Sequence, residues 1–130
     1  MSVSITVSYG ELLDKISILE IKAEWIKDSV KLTNVRTELS LLQLAWLNLT
    51  VDRDDVAIAA LRQDLKMVNA QLWEIEDHIR DFERQKIFEG EFIRLARAVY
   101  ITNDRRAAIK REIDMLLGSP ITEEKSYRPY

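Results

Sequence analysis

Residues 90–118 read GEFIRLARAVYITNDRRAAIKREIDMLLG, and the segment has a glycine at each end. Its apolar side chains recur at alternating spacings of four and three residues, the period of a helix face that packs against a core. Because Arg106 falls in this series and arginine is rarely buried unpaired, it should either meet an internal carboxylate or face a cavity for an anion. The series consists of Phe92, Leu95, Val99, Thr102, Arg106, Ile109, Ile113 and Leu116.

Three earlier segments show the same helical spacing, and the whole pattern predicts helices over 8–28, 30–49, 54–87 and 90–117. Ser8 and Glu11 form a capping box at the start of the first helix. Asp28 with Ser29, and Asp54 or Asp52, are suited to cap the second and third helices. Gly118 followed by Pro120 should stop the fourth helix.

The two ends of the chain lack the helical period. Residues 1–7 alternate valine or isoleucine with serine or threonine, the pattern of a short extended strand. Residues 118–130 form a tail, and its tyrosines favour packing back over the helices. We therefore predict a single all-α domain over 1–130, an antiparallel bundle of four long helices with a short N-terminal extended segment and a C-terminal tail.

Composition excludes several classes of protein. The 130 residues carry a net charge of -3 and contain no cysteine, which excludes disulfides, zinc-thiolate sites and thiol nucleophiles. The charge argues against nucleic-acid binding, and no apolar run is long enough to span a membrane. No secretory signal is apparent, so a cytoplasmic location is expected. No glycine-rich nucleotide loop is present, and neither a cofactor nor a metal is predicted.

Cationic side chains occupy unusual positions on the first and fourth helices. On the first helix a narrow polar strip is flanked by apolar residues on both sides, and on the fourth a polar cluster lies on the core side. Buried cations are costly unless carboxylates or an anionic ligand offset them. If the two helices are neighbours, the arrangement predicts a pocket for a carboxylate or phosphate. Its candidate ligand-binding residues are Glu11, Lys15, Lys22, Thr102, Asn103, Arg106 and Lys110.

A purely structural role for these groups is the alternative. Arg106 could pair with Glu11, Glu20 or Glu76 and fix the register of the helices. The lysines could cover apolar surface with their aliphatic stems while the ammonium groups reach water.

A second hypothesis starts from acidic residues on two helices. Carboxylates on facing helices can hold magnesium, as in all-α nucleotide pyrophosphohydrolases. However, Asp77 and Asp81 point away from the apolar face of the third helix, which favours a solvated surface. The acids concerned are Glu11, Asp14, Glu74, Glu76, Asp77 and Asp81.

The second helix is apolar on nearly every side. One series runs Val35, Leu39, Leu42, Trp46 and Leu49, and a second series covers the opposite face with Leu41, Leu44, Ala45 and Leu47. Such a helix requires cover on two sides. We therefore predict a homodimer formed through the second helix. A non-enzymatic assembly or adaptor module is the alternative, and it is also suggested by Trp73 on the polar side of the third helix.

Three segments carry a family resemblance: ITVSYGELLDKISILEIK (5–22), TNDRRAAIKREID (102–114) and EEKSY (123–127). Together they resemble a small bacterial and phage family of unknown function whose members have about this length. The resemblance implies that both ends belong to the domain, and that the polar residues of the first and fourth helices are part of the family pattern. It supplies no activity, substrate or cofactor. Our working hypothesis is a homodimer that binds a small anion, with catalysis left open.

Overall fold

A computed structural model describes residues 1–49, 51 and 54–130 of the chain. These residues form α1 (Tyr9–Trp25), α2 (Ser29–Leu47), α3 (Asp55–Gln85) and α4 (Gly90–Leu117). They contain no β-strand, so the prediction of an all-α bundle of four helices is confirmed. Within these ranges, no helix combines the length and the apolar character needed to cross a membrane.

Side-chain caps set the starts of the first three helices. Ser8 accepts a hydrogen bond from the backbone N–H of Glu11 at 3.1 Å, and Asp28 accepts one from Lys31 at 2.9 Å. Asp54 caps α3 through the N–H groups of the second and third residues of that helix. The alternative cap Asp52, together with Thr50 and Arg53 of the same loop, lies outside the described residues.

The ends of the first, third and fourth helices follow from local backbone conformation. α1 stops at Trp25, three residues before the predicted end, because Ile26 is extended and Asp28 already begins the next helix. α3 ends at Gln85, because its C-cap residue Lys86 adopts a left-handed conformation with φ of 58°. Gly118 caps α4 with φ of 65°, and this glycine stop is the one that the sequence predicted.

α1 is the central helix of the bundle, since it packs against α2, α3 and α4, while α3 also packs along α4. The Gly10 N–H donates to Asp114 and the Arg106 guanidinium donates to Asp14, so α1 and α4 run antiparallel. The wholly buried apolar side chains come from α1, α3 and α4: Leu13, Ile16, Ile21, Leu65, Val68 and Ile113.

Three features differ from the sequence-based expectations. Val3 and Ile5 of the N-terminal segment are exposed, and residues 1–7 are not in a strand. The last inward-facing residue of α4 is Leu117, whereas the predicted Leu116 is half-exposed. Trp73 is half-buried against Trp25, with the rings edge-to-face and their centroids 5.6 Å apart, so it is not an isolated surface tryptophan.

Candidate functional site

A buried carboxylate on α1 organises the polar contacts between three helices. Asp14 is wholly buried and accepts hydrogen bonds from Nε of Arg106 at 2.9 Å and from Nη2 of the same guanidinium. It also accepts one from Nδ2 of Asn69 at 2.8 Å, and Asn69 donates in addition to Ser17. The hydrogen bonds to Asp14 raise the pKa of Arg106, which therefore stays charged.

Arg106 thus has an internal carboxylate partner, but not one of those considered from the sequence. Glu20 pairs instead with Arg62 and Lys66 of α3, at 3.9 and 3.8 Å. Glu11 bonds to Lys110, and Glu76 is exposed on α3. The carboxylate that joins Arg106 to α1 is Asp14. The sequence analysis considered this residue only among the acids that could hold magnesium.

Lys110 lies one helical turn further along α4 and is also buried. Its Nζ donates to Glu11 at 2.6 Å and to Glu123 of the tail at 2.9 Å. Burial lowers the pKa of Lys110, but the hydrogen bonds to the two glutamates outweigh burial, so the pKa is raised overall. Hydrogen bonds from Lys125 and Lys110 in turn lower the pKa of Glu123 to about 2.

The tail after Gly118 folds back along α4. Glu123 contacts Lys110, and the Tyr130 hydroxyl donates to Asp104 at 2.6 Å. The Tyr130 ring also meets Tyr100 edge-to-face, with the ring centroids 5.2 Å apart. The tail is therefore attached to α4 through Glu123 and through Tyr130.

A cavity of about 530 Å³ lies between α4 and this tail. Four basic side chains line it, two from α4 and two from the tail, and Asp104 is the single carboxylate in the lining. Its other walls are an asparagine, two small apolar residues and three tyrosine rings. The lining consists of Val99, Tyr100, Asn103, Asp104, Arg106, Ala107, Lys110, Lys125, Tyr127, Arg128 and Tyr130.

The candidate residues from the sequence fall into three groups. Asn103, Arg106 and Lys110 line the cavity. Thr102 is buried and is not among the lining residues, and Glu11 contacts Lys110. Lys15 and Lys22 are not among the lining residues: Lys15 is exposed and lies 3.5 Å from Glu11, and Lys22 is in the last turn of α1.

The tail contributes the lining residues that sequence reasoning did not name, Lys125, Tyr127, Arg128 and Tyr130. The signal in the sequence was the density of aromatic and basic residues in 125–130, which is unusual for a disordered end. The acids considered for magnesium do not converge: within the described ranges, no group of three or more His, Asp or Glu side chains could hold a metal ion.

The chain matches the model of a family of unknown function (DUF6165) over residues 1–129, and it belongs to that family. The family resemblance seen in the sequence is thereby confirmed, and the match includes both α4 and most of the tail. No curated protein and no solved structure matches the chain.

Proposed function

We propose that this protein binds a small anionic ligand, a carboxylate or a phosphate, in the cavity between α4 and the tail. The observation that carries the proposal is the lining itself, which contains four cationic side chains and one carboxylate. Asp14, Glu11 and Glu123 pair with three of these cations from outside the lining, and Arg128 has no ion pair within the described part of the chain. The cavity volume of about 530 Å³ also falls within the range of roughly 300–1,000 Å³ that is typical of small-molecule sites.

The contact with Asp14 leaves one nitrogen of the Arg106 guanidinium available to a ligand. Asp14 engages Nε and Nη2 of Arg106, while Nη1 makes no hydrogen bond to any residue that the structure describes. Because Asp14 bonds to Nε and Nη2, it fixes the orientation of the Arg106 guanidinium before a ligand binds. Less side-chain entropy is then lost on binding, which favours affinity.

Arg128 is the least constrained of the four cations. It lines the cavity and forms no ion pair with the described part of the chain. An exposed guanidinium with free donors can bind an oxyanion without first giving up an internal partner. Arg128 is therefore the residue whose loss should affect binding most and folding least.

The test is calorimetric titration of the protein with inorganic phosphate and, separately, with succinate. We expect saturable binding of at least one probe, and Arg128→Gln should weaken that binding by about tenfold, since a charge-assisted hydrogen bond is lost. Arg97→Gln is the matched control, because Arg97 is an exposed arginine of α4 outside the cavity lining. Absence of binding by both probes, or an equal loss in the two variants, would contradict the proposal.

A second observation favours self-association. Among the described helices, α2 has extensive contact with α1 alone. It leaves Leu41, Leu44 and Leu47 exposed by 62%, 55% and 69%. Clustered exposed leucines are typical of an interaction surface, so we propose a homodimer formed through this face of α2. A cytoplasmic location also belongs to the proposal, and it rests on the sequence alone.

A further inference from the structure

The cavity lining combines two kinds of side chain. Four are basic, Arg106 and Lys110 of α4 and Lys125 and Arg128 of the tail. Five are apolar or aromatic and also come from both α4 and the tail: Val99, Tyr100, Ala107, Tyr127 and Tyr130. A bare inorganic anion would use the basic side chains alone. A ligand that also contacts the apolar and aromatic side chains needs an apolar body attached to its acidic group.

Three tyrosine rings belong to the cavity lining. Tyr100 and Tyr130 are held edge-to-face, and the hydrogen bond from Tyr130 to Asp104 fixes the second ring. Tyr127 is 76% exposed, and the Lys125 ammonium lies 6.0 Å from its ring centroid. Aromatic rings prefer to meet other rings offset or edge-to-face at centroid separations of roughly 4.5–7 Å.

We infer that the ligand is an organic anion that carries an aromatic ring, an inference that rests on the proposed function. The acidic group is bound by Arg106, Lys110 and Arg128, and the ring packs against Tyr127 and the pair of Tyr100 and Tyr130. The amide of Asn103 lines the same cavity and can donate to or accept from a polar substituent of the ligand. Carboxylate and phosphate acids share this recognition chemistry.

The experiment compares three probes by calorimetric titration of the full chain: inorganic phosphate, phenyl phosphate and cyclohexyl phosphate. The last two carry the same acidic group on an aromatic and on a saturated ring. We expect phenyl phosphate to bind about tenfold more tightly than either of the others.

The Tyr127 side chain provides the matched variants. Tyr127→Ala should remove the preference for phenyl phosphate, so that its affinities for phenyl phosphate and inorganic phosphate become similar, whereas Tyr127→Phe should retain the preference. Because Tyr127 is exposed, neither change should prevent folding.

The outcomes separate this inference from the proposed function. Equal affinities for phenyl phosphate and inorganic phosphate would overturn the aromatic specificity and leave anion binding intact. Equal affinities for phenyl and cyclohexyl phosphate would show that an apolar body suffices, and would also overturn it. If no probe binds, anion binding itself fails and the inference fails with it.

Discussion

At the scale of single residues, Gly10 sets the distance between α1 and α4. Its N–H donates to Asp114 at 2.6 Å, and a Cβ at this position would lie 2.4 Å from the backbone oxygen of Lys110. A backbone atom cannot move aside as a side chain can. The two helices approach this closely because residue 10 has no side chain, and the close approach aligns Asp14 with Arg106.

Gly10→Ala should therefore lower the free energy of unfolding by about 1–3 kcal/mol, the usual cost of overpacking a buried contact. Gly90→Ala is the control, because a Cβ at Gly90 would have no neighbour within 4 Å. Urea denaturation of both variants measures the difference. Equal stability of Gly10→Ala and the parent protein would show that the close approach is not required.

The sequence identified Arg106 as a buried cation but not Asp14 as its partner. Arg106 could be assigned to the inward-facing series of α4 because six of the eight residues with that spacing are apolar. On α1, Gly10, Asp14, Ser17 and Ile21 form a buried series. It has the same spacing, but three of its four members are small or polar, so a search for apolar residues passes over it.

At the scale of elements, the helices were largely predictable and the course of the tail was not. Helix starts depend on caps such as Ser8 and Asp28, which act over three residues and can be recognised locally. The tail is positioned by contacts between distant residues, such as the hydrogen bond from Tyr130 to Asp104. Local patterns indicate that such a segment packs, but not where it packs.

The tail carboxylate of Glu123 should compete with a bound anion. It bonds to Lys110 at 2.9 Å and to Lys125 at 2.7 Å, and both lysines line the cavity. Glu123→Gln removes this internal competitor. In calorimetry the variant protein should therefore bind inorganic phosphate several-fold more tightly than the parent protein. Glu124→Gln is the control, since Glu124 pairs with Arg111 outside the lining. An unchanged or weaker affinity of Glu123→Gln would count against the site.

The same carboxylate gives the tail a defined pH dependence. The pKa of Glu123 is lowered from 4.5 to about 2, chiefly by hydrogen bonds from Lys125 and then Lys110. A lowered pKa in the folded state means that the ionised contact stabilises docking fully above pH 4.5, and that this stabilisation is lost as the pH falls toward 2.

Carboxyl carbon chemical shifts followed through an acid titration measure this directly. We expect the Glu123 resonance to titrate with a midpoint near 2, well below that of an unperturbed glutamate. A midpoint close to 4.5 would show that Glu123 is not held by the two lysines in solution.

At the scale of the whole molecule, α2 accounts for the exposed apolar surface that the sequence anticipated. Trp46 of α2 is buried, and the guanidinium of Arg62 on α3 lies 5.7 Å from the centroid of its indole ring. The opposite face, with Leu41, Leu44 and Leu47, has no cover within the described chain. The sequence predicts that α2 is apolar on nearly every side. Which of these faces meets α1 depends on how the helices pack.

Leu44→Glu should convert a dimer into a monomer, because it places a charge in the centre of the proposed interface. Light scattering coupled to gel filtration measures the mass of each species. Val56→Glu is the matched control on α3, where Val56 is 82% exposed, and it should leave the dimer intact. A parent protein that is already monomeric would contradict the proposed association.

Anion binding between α4 and the tail is tested most directly by mapping backbone amide resonances during titration with inorganic phosphate. We expect saturable shifts in residues 99–110 and 125–130, the two segments that line the cavity, and no shifts along α2. Shifts that do not saturate, or that are spread over exposed basic residues of all helices, would contradict a site at this cavity.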